Sequence, residues 1–301
     1  GWNYQNCLPY FKRAETWAGG EDQYRGGSGP LHTTNGRRKN PLYSAFVQAG
    51  VQAGYPRTSD YNGKQQEGFG SMAMTVKDGV RWSTSSAYLQ SEELNTNNLE
   101  VQTDSVVQRV LFDTCTDTAK TTTHTNNSAN SSSSSKPRAT GIEVVNARGE
   151  RLRIGAKKEV ILAAGAIGSP HLLQVSGIGK ASHLDSIGVD VVRELAGVGE
   201  NLQDHLEILV QQECTKPLTL YKDIQPLSKL KIGIRWILSV LSGGWIQPGL
   251  GGTNHFESCA FVRSSPEVPY PDIQYHFCPV AISYDGNSPV KNHGFQAHVG
   301  P

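Results

Sequence analysis

The chain has 301 residues, 37% of them hydrophobic and 18% charged, with a net charge of +1. That length suits one large domain or two ordinary ones, and the near-neutral balance points to neither nucleic acid nor an anionic membrane. Five scattered cysteines without a CxxC pair argue against a disulfide framework or zinc site and suggest reduced thiols in an intracellular protein.

"WNYQNCLPYFKRAETW" places aromatic and apolar residues at helical spacing and predicts a short amphipathic helix. The glycine-rich "GGEDQYRGGSGPLHTT" leads to "NPLYSAFVQAGVQAGYP". There Pro41 near the start, apolar Leu42, Phe46, Val47 and Val51, and the stop signals Gly54 and Pro56 predict a second helix. "DYNGKQQEGFG" reads as turns, "SMAMTVKDGVRW" as a hairpin turning at Asp78–Gly79, and "STSSAYLQ" as a capped helix. "LEVQTDSVVQRVLF" and "GIEVVNARGERLRI" alternate as strands. Between them, residues 116–138 form a Ser/Thr/Asn-rich run with too little apolar surface to order itself. A disordered insertion in a hairpin loop is expected there.

"EVILAAGAIGSPHLLQVSGIG", Glu159 to Gly179, predicts a strand with both faces buried, as in a parallel sheet. Ala163, Ala164, Gly165 and Ala166 would keep its carboxyl end clear, Ser169 would cap a helix beginning at Pro170, and Gly177 and Gly179 would end it. Small residues at that place let a large flat cofactor approach the backbone, beside a helix N-terminus that favours negative charge. Tight strand–helix packing without a ligand explains them equally well. No GxGxxG follows a strand, so a complete nucleotide site is not legible.

"ASHLDSIGVDVVREL" gives a helix end and a strand, and "AGVGENLQDHLE" a loop. Then "LEILVQQECT", "HFESCAFVR", "DIQYHFCPVAI" and "GFQAHVG" follow as strands, the first two joined through the helix-like "PLSKLKIGIRWILSVL". This is α+β with an antiparallel sheet, and a boundary is expected near residue 207. The longest apolar run, "IGIRWILSVLSGGW", carries Arg235 and is too short to span a bilayer. Asp204–His205 lacks a GxSxG nucleophile elbow. "CTDTAKTTTHT" lacks metal spacing, and the basic run at Gly36–Lys39 reads as a solvated loop.

Longer motifs add a resemblance. "GAIGSPHLLQVSGIG" followed by "GVGENLQDH" resembles the signature of the glucose–methanol–choline (GMC) family of flavin oxidoreductases. "AGVQAGYPRTSDYNGKQQEGFG", "KDGVRWSTSSAYL", "NHFES", "IQYHFCPVAISYDG" and "KNHGFQAHVGP" resemble its choline-oxidising branch, in order. The resemblance implies an incomplete, Rossmann-like α/β FAD-binding domain over residues 1–207 and part of an α+β substrate domain over 208–301. It implies FAD as cofactor, choline as substrate and betaine aldehyde as product, with an electron acceptor it does not identify. Val107 matches a backbone group against the adenine, and Ala163, Ala164 and Gly165 match residues lining the FAD crevice. Asn201, Gln203, Asp204 and His205 match a structural loop at the domain junction.

Glu257 matches the carboxylate that holds a trimethylammonium group, and Phe256 is the best candidate for an aromatic face beside it, ahead of Trp245 and Tyr275. A quaternary ammonium donates no hydrogen bond, so a carboxylate and aromatic faces suit it. The alternative for Glu257 is an exposed strand charge. Members of the family begin with GxGxxG and end with a catalytic His, and this chain shows neither. It is therefore expected to be an internal piece, cut at Gly1 and Pro301, without a metal site. His205, His276, His293 and His298 are not expected to be the catalytic base. An enzyme for an uncharged alcohol and a non-catalytic remnant remain as other readings. The resemblance suggests a mitochondrial home in a eukaryote, although no targeting segment is present to read.

Overall fold

Asn3 accepts a hydrogen bond from the Asn6 amide and caps the first helix, α1 (Tyr4–Ala14). Lys12 and Arg13 in its last turn suit the negative end of the helix dipole. The structure, a computed structural model, describes residues 1–90, 98–113, 136–283 and 292–301. It divides into one unit of residues 1–96 with 205–301 and another of residues 97–204.

In the first unit, β1 (Glu15–Trp17) pairs parallel with β2 (Leu31–Asn35). Helix α2 (Pro41–Gln52) is capped by Asn40, whose side chain accepts from the Leu42 amide, with Pro41 preset for the first turn. Strands β3 (Gly68–Ser71) and β4 (Ala73–Met74) follow, and β4 pairs antiparallel with β2. The expected hairpin forms between β5 (Val76–Lys77) and β6 (Val80–Arg81). Asp78 and Gly79 take φ of 50° and 79° at its turn, the left-handed pair that matches strand twist. Ser83 caps the short α3 (Thr84–Tyr88).

In the second unit, β7 (Val106–Asp113), β8 (Arg138–Val145) and β9 (Arg151–Gly155) form an antiparallel sheet. The predicted insertion falls between β7 and β8. It lies outside the described residues except for its last three, of which Arg138 already belongs to β8. Glu143 is buried on β8 with Arg109, Arg151 and Arg153 around it at 3.4–3.7 Å. Next come α4 (Gly165–Val175), β10 (Ile178–Gly179), α5 (Ala181–Ser186) and β11 (Arg193–Glu194), with β10 and β11 parallel.

Here the structure corrects the sequence reading. Residues 159–164 form no strand, and Ile161 is 78% exposed. An apolar run becomes a buried strand only if neighbours pair with it, and among the described residues none does. Helix α4 starts at Gly165, not Pro170, so Pro170 sits inside it. Gly165 takes φ of 81°, which favours glycine there. Ser169 bonds backward, accepting from the Ala164 amide at 3.0 Å.

The first unit resumes with β12 (Ile208–Glu213), α6 (Pro226–Leu241), β13 (Ser258–Val262), β14 (Ile273–Cys278) and β15 (Gly294–Gly300). Their sheet has the order β12-β15-β14-β13-β3, antiparallel throughout. The β3 edge comes from a stretch the sequence presents as turns. Phe69 in it packs with Val47, Ala260 and Val262, and that apolar contact fixes β3 against β13. Helix α2 covers this face. Phe46 stacks on Phe277 at 4.8 Å between ring centres.

Candidate functional site

Strand pleating sorts the sheet's side chains. Tyr275 and Phe277 of β14 face α2, whereas His276 alternates to the opposite face. His276 lies opposite His298 of β15, and both rings meet Phe256 edge-on, at 6.1 and 5.3 Å. Phe256 also belongs to a cluster with Leu220, Cys278 and Val280. Gln296 is fully buried beside them. Its Oε1 accepts from the Ile282 amide and from Gln211 Nε2, both at 2.9 Å, so its own Nε2 donates to His298 Nε2. His298 Nδ1 lies 2.9 Å from Glu207. Burial holds His276 below the usual histidine value, with the neighbouring His298 acting in the same direction and Glu207 opposing.

Glu257 immediately precedes β13 and is only 4% exposed, so it is not an exposed strand charge. Its Oε1 accepts the Thr253 hydroxyl at 2.6 Å, and its Oε2 accepts the Arg38 backbone N–H. Burying a carboxylate is costly without such donors. Arg38 reaches it through a left-handed backbone, φ 46°. The Glu257 backbone carbonyl accepts from the Met72 amide at 3.1 Å. Burial, and then the Glu257 charge, push the neighbouring Tyr43 phenol well above its usual value. Its hydroxyl donates to the His255 carbonyl at 2.6 Å and pins a loop in which His255 takes φ of 64°. His255 is held below the usual histidine value by burial, against the opposing pull of Glu257 and Asp223.

The structure therefore separates what the sequence placed side by side. Phe256 lines a cavity of about 470 Å³ with Trp236, Leu250, His255 and Cys278, and Glu257 is not among the lining residues. Tyr275 packs into the core against Phe46 and Phe69 and offers no cage wall, and Trp245 is 92% exposed. The basic run read as a solvated loop turns out to cradle Glu257 through Gly36 and Arg38. Arg38 lies 219 positions from Glu257, and no local signal in the sequence announces the contact.

The residues that the resemblance assigns to the cofactor all belong to the second unit. Val107 is half-buried on β7, paired with Val144 beside a register shift. Helix α4 packs on β7, and Ser176 Oγ at its end accepts the Val110 amide at 2.8 Å. Ala163, Ala164 and Gly165 are exposed where α4 begins, and a β-carbon on Gly165 would meet nothing within 4 Å. An open, small-residue backbone with no acid in the first helical turn fits a large anionic cofactor. In the "NLQDH" loop, Asn201 has φ of 57°, and His205 Nδ1 lies 2.6 Å from the Pro301 carbonyl. His293 Nδ1 pairs with the Thr219 hydroxyl at 2.7 Å.

These strands, the α4 turn and the mixed sheet are parts of a flavoenzyme architecture. The family model for GMC oxidoreductase, its N-terminal domain, matches residues 1–207, and the chain belongs to that family of FAD-dependent oxidoreductases. It is 52% identical over its whole length to oxygen-dependent choline dehydrogenase from Vibrio vulnificus, covering 49% of that protein. Pyridoxine 4-oxidase from Mesorbium loti aligns over 99% of this chain and 49% of its own, with 25% identity and a TM-score of 0.71. Formate oxidase aligns over 99% and 52%, with 18% identity and a TM-score of 0.77, a likeness of fold. The chain thus spans about half the length of the curated relatives it matches.

Proposed function

We propose that this chain forms the central part of an FAD-dependent dehydrogenase that oxidises choline to betaine aldehyde. The observation that carries the reading is Glu257, a buried carboxylate in the loop that leads into β13. Identity of about half over the whole chain to relatives named as choline dehydrogenases supports it. Glu257 would hold the trimethylammonium group by charge. Thr253 and Arg38 would keep the carboxylate oriented. Val107, Ala163, Ala164 and Gly165 would line the cofactor's side. FAD, when bound, supplies the hydride acceptor for the alcohol carbon.

The two donors already on Glu257 favour a second reading. A carboxylate satisfied by Thr253 and Arg38 needs no cation, and the substrate is then an uncharged alcohol. The two readings separate under anaerobic conditions in a polypeptide that carries this chain at the length of its relatives. Choline should bleach its flavin absorbance. Bleaching by an uncharged alcohol and not by choline would overturn the first reading.

A further inference from the structure

Both oxygens of Glu257 are governed from one short stretch of chain, the approach to α2 and its first turn. Arg38 reaches Oε2 directly through its backbone N–H. Oε1 is reached by relay. It accepts the Thr253 hydroxyl at 2.6 Å, and the Thr253 oxygen in turn accepts the His255 amide at 3.2 Å. A hydroxyl has one proton to give, so the incoming amide leaves that proton aimed at the carboxylate. His255, which supplies the amide, has φ of 64°, a conformation that a residue other than glycine holds only when its surroundings impose it. Tyr43 imposes it, because its hydroxyl donates to the His255 carbonyl at 2.6 Å.

Tyr43 grips this segment at two points, one on either side of Glu257. Its hydroxyl holds His255, and its backbone carbonyl accepts the Ser258 hydroxyl at 3.3 Å. Tyr43 is 2% exposed and its ring meets Phe277 edge-on at 6.1 Å, so it has no room to swing away. Helix α2 is itself fixed at its start, where Asn40 Nδ2 donates to the Leu218 carbonyl at 2.7 Å. Burial and then the Glu257 charge keep the phenol protonated, so it donates throughout the neutral range. All of these groups belong to the first unit, and Tyr43, Glu257 and Ser258 are buried within it.

We propose that Tyr43 is a positioning residue for the substrate's cation, setting the Glu257 carboxylate through the His255 turn and the Thr253 hydroxyl. The inference rests on the reading of Glu257 as the trimethylammonium anchor. Tyr43→Phe keeps the ring and its packing and removes only the donor. The His255 carbonyl then loses its partner, the turn relaxes, and the Thr253 proton is no longer aimed at Oε1. The carboxylate pairs with the cation before and during the reaction alike, so the loss falls on KM and not on kcat.

The test uses a flavin-loaded polypeptide that carries this chain at the length of its relatives. Tyr43→Phe should raise the KM for choline about fivefold and leave kcat unchanged. The KM for the uncharged isostere, with tert-butyl in place of trimethylammonium, should not move. Tetramethylammonium, which carries the charge and no oxidisable alcohol, should bind about fivefold more weakly by calorimetry. Thr253→Val, which breaks the relay at its middle, should raise the choline KM at least as much. Adding Tyr43→Phe to it should raise it no further. An unchanged choline KM in Tyr43→Phe, or a KM raised equally for choline and the isostere, overturns the proposal. So do effects of the two substitutions that multiply. Glu257→Gln tells the two failures apart. If it raises the choline KM while Tyr43→Phe does not, the anchor stands and Tyr43 is structural only. If it leaves the choline KM unchanged, the reading of Glu257 fails and this proposal falls with it.

Discussion

Gly36 stands so close to Glu257 that a β-carbon on it would lie 2.5 Å from the Glu257 β- and γ-carbons. Its neighbour here is the root of a buried side chain, which cannot swing aside. Gly36→Ala should therefore destabilise the fold by about 1–3 kcal/mol, read from the urea midpoint. In a flavin-loaded polypeptide the same substitution should weaken choline binding, because it displaces the carboxylate from Thr253 and Arg38.

Acid should weaken the first unit through its half-buried histidines. Burial is the leading cause holding His32, His255 and His276 below the free histidine value of 6.5. The unfolded chain takes up these protons near pH 6.5 and the folded chain does so only at lower pH. Stability then falls as pH drops below about 6.5. Melting temperatures between pH 7.5 and 5.5 should show that decline, and a flat profile would contradict it.

Thiols supply the alkaline counterpart. Burial pushes the Cys259 thiol up to about 12 and Cys278 up to about 11, from 9.0. A raised thiol contributes stability that is complete below pH 9 and is lost as pH climbs toward 11 and 12. At pH 8 an alkylating reagent should modify the half-buried Cys7 and Cys214 in the native protein, and Cys259 and Cys278 only after unfolding. Mass spectrometry of digested protein reads this directly.

Arg25 is 3% exposed and joins Glu15 at 2.8 Å to Asp60 at 3.3 Å, with its guanidinium 4.0 Å from the centre of the Trp17 ring. Arg25→Ala leaves the Glu15 carboxylate facing an emptied site and should cost about 3 kcal/mol. Arg25→Lys should recover only part, since a lysine cannot reach both carboxylates while stacking on the ring. Chemical denaturation of the two variants tests the ordering.

Local signals in the sequence were enough for α1, α2, the Asp78–Gly79 hairpin and the long strands β7, β8 and β9, because caps, turn residues and alternation act within a few positions. Residues 159–164 misled for the opposite reason. Their apolar run meets the local requirement for a strand, but a strand also needs partners, and none appears among the described residues. Strand β3 was hidden because Phe69 alone, between glycines, carries the packing that sets it beside β13. At the candidate site, Glu257 could be picked out from its motif, but the loop that holds it could not. Arg38 contributes a backbone N–H, which every residue except proline has, and only the fold brings it to the carboxylate. The same limit hid the place of Tyr275, which the sequence ranked behind Phe256 as a cage member: β14 turns it toward Phe46.

The most direct test of the substrate assignment compares choline with its uncharged carbon isostere, in which a tert-butyl group replaces trimethylammonium. Both would be titrated into a flavin-loaded polypeptide carrying this chain, with Glu257 intact or replaced through Glu257→Gln. Loss of a buried charge pairing of about 2 kcal/mol corresponds to a rise of about thirtyfold in the KM for choline, with the isostere unaffected. Equal KM values for choline in the two proteins would contradict the account and leave Glu257 as a structural carboxylate held by Thr253 and Arg38.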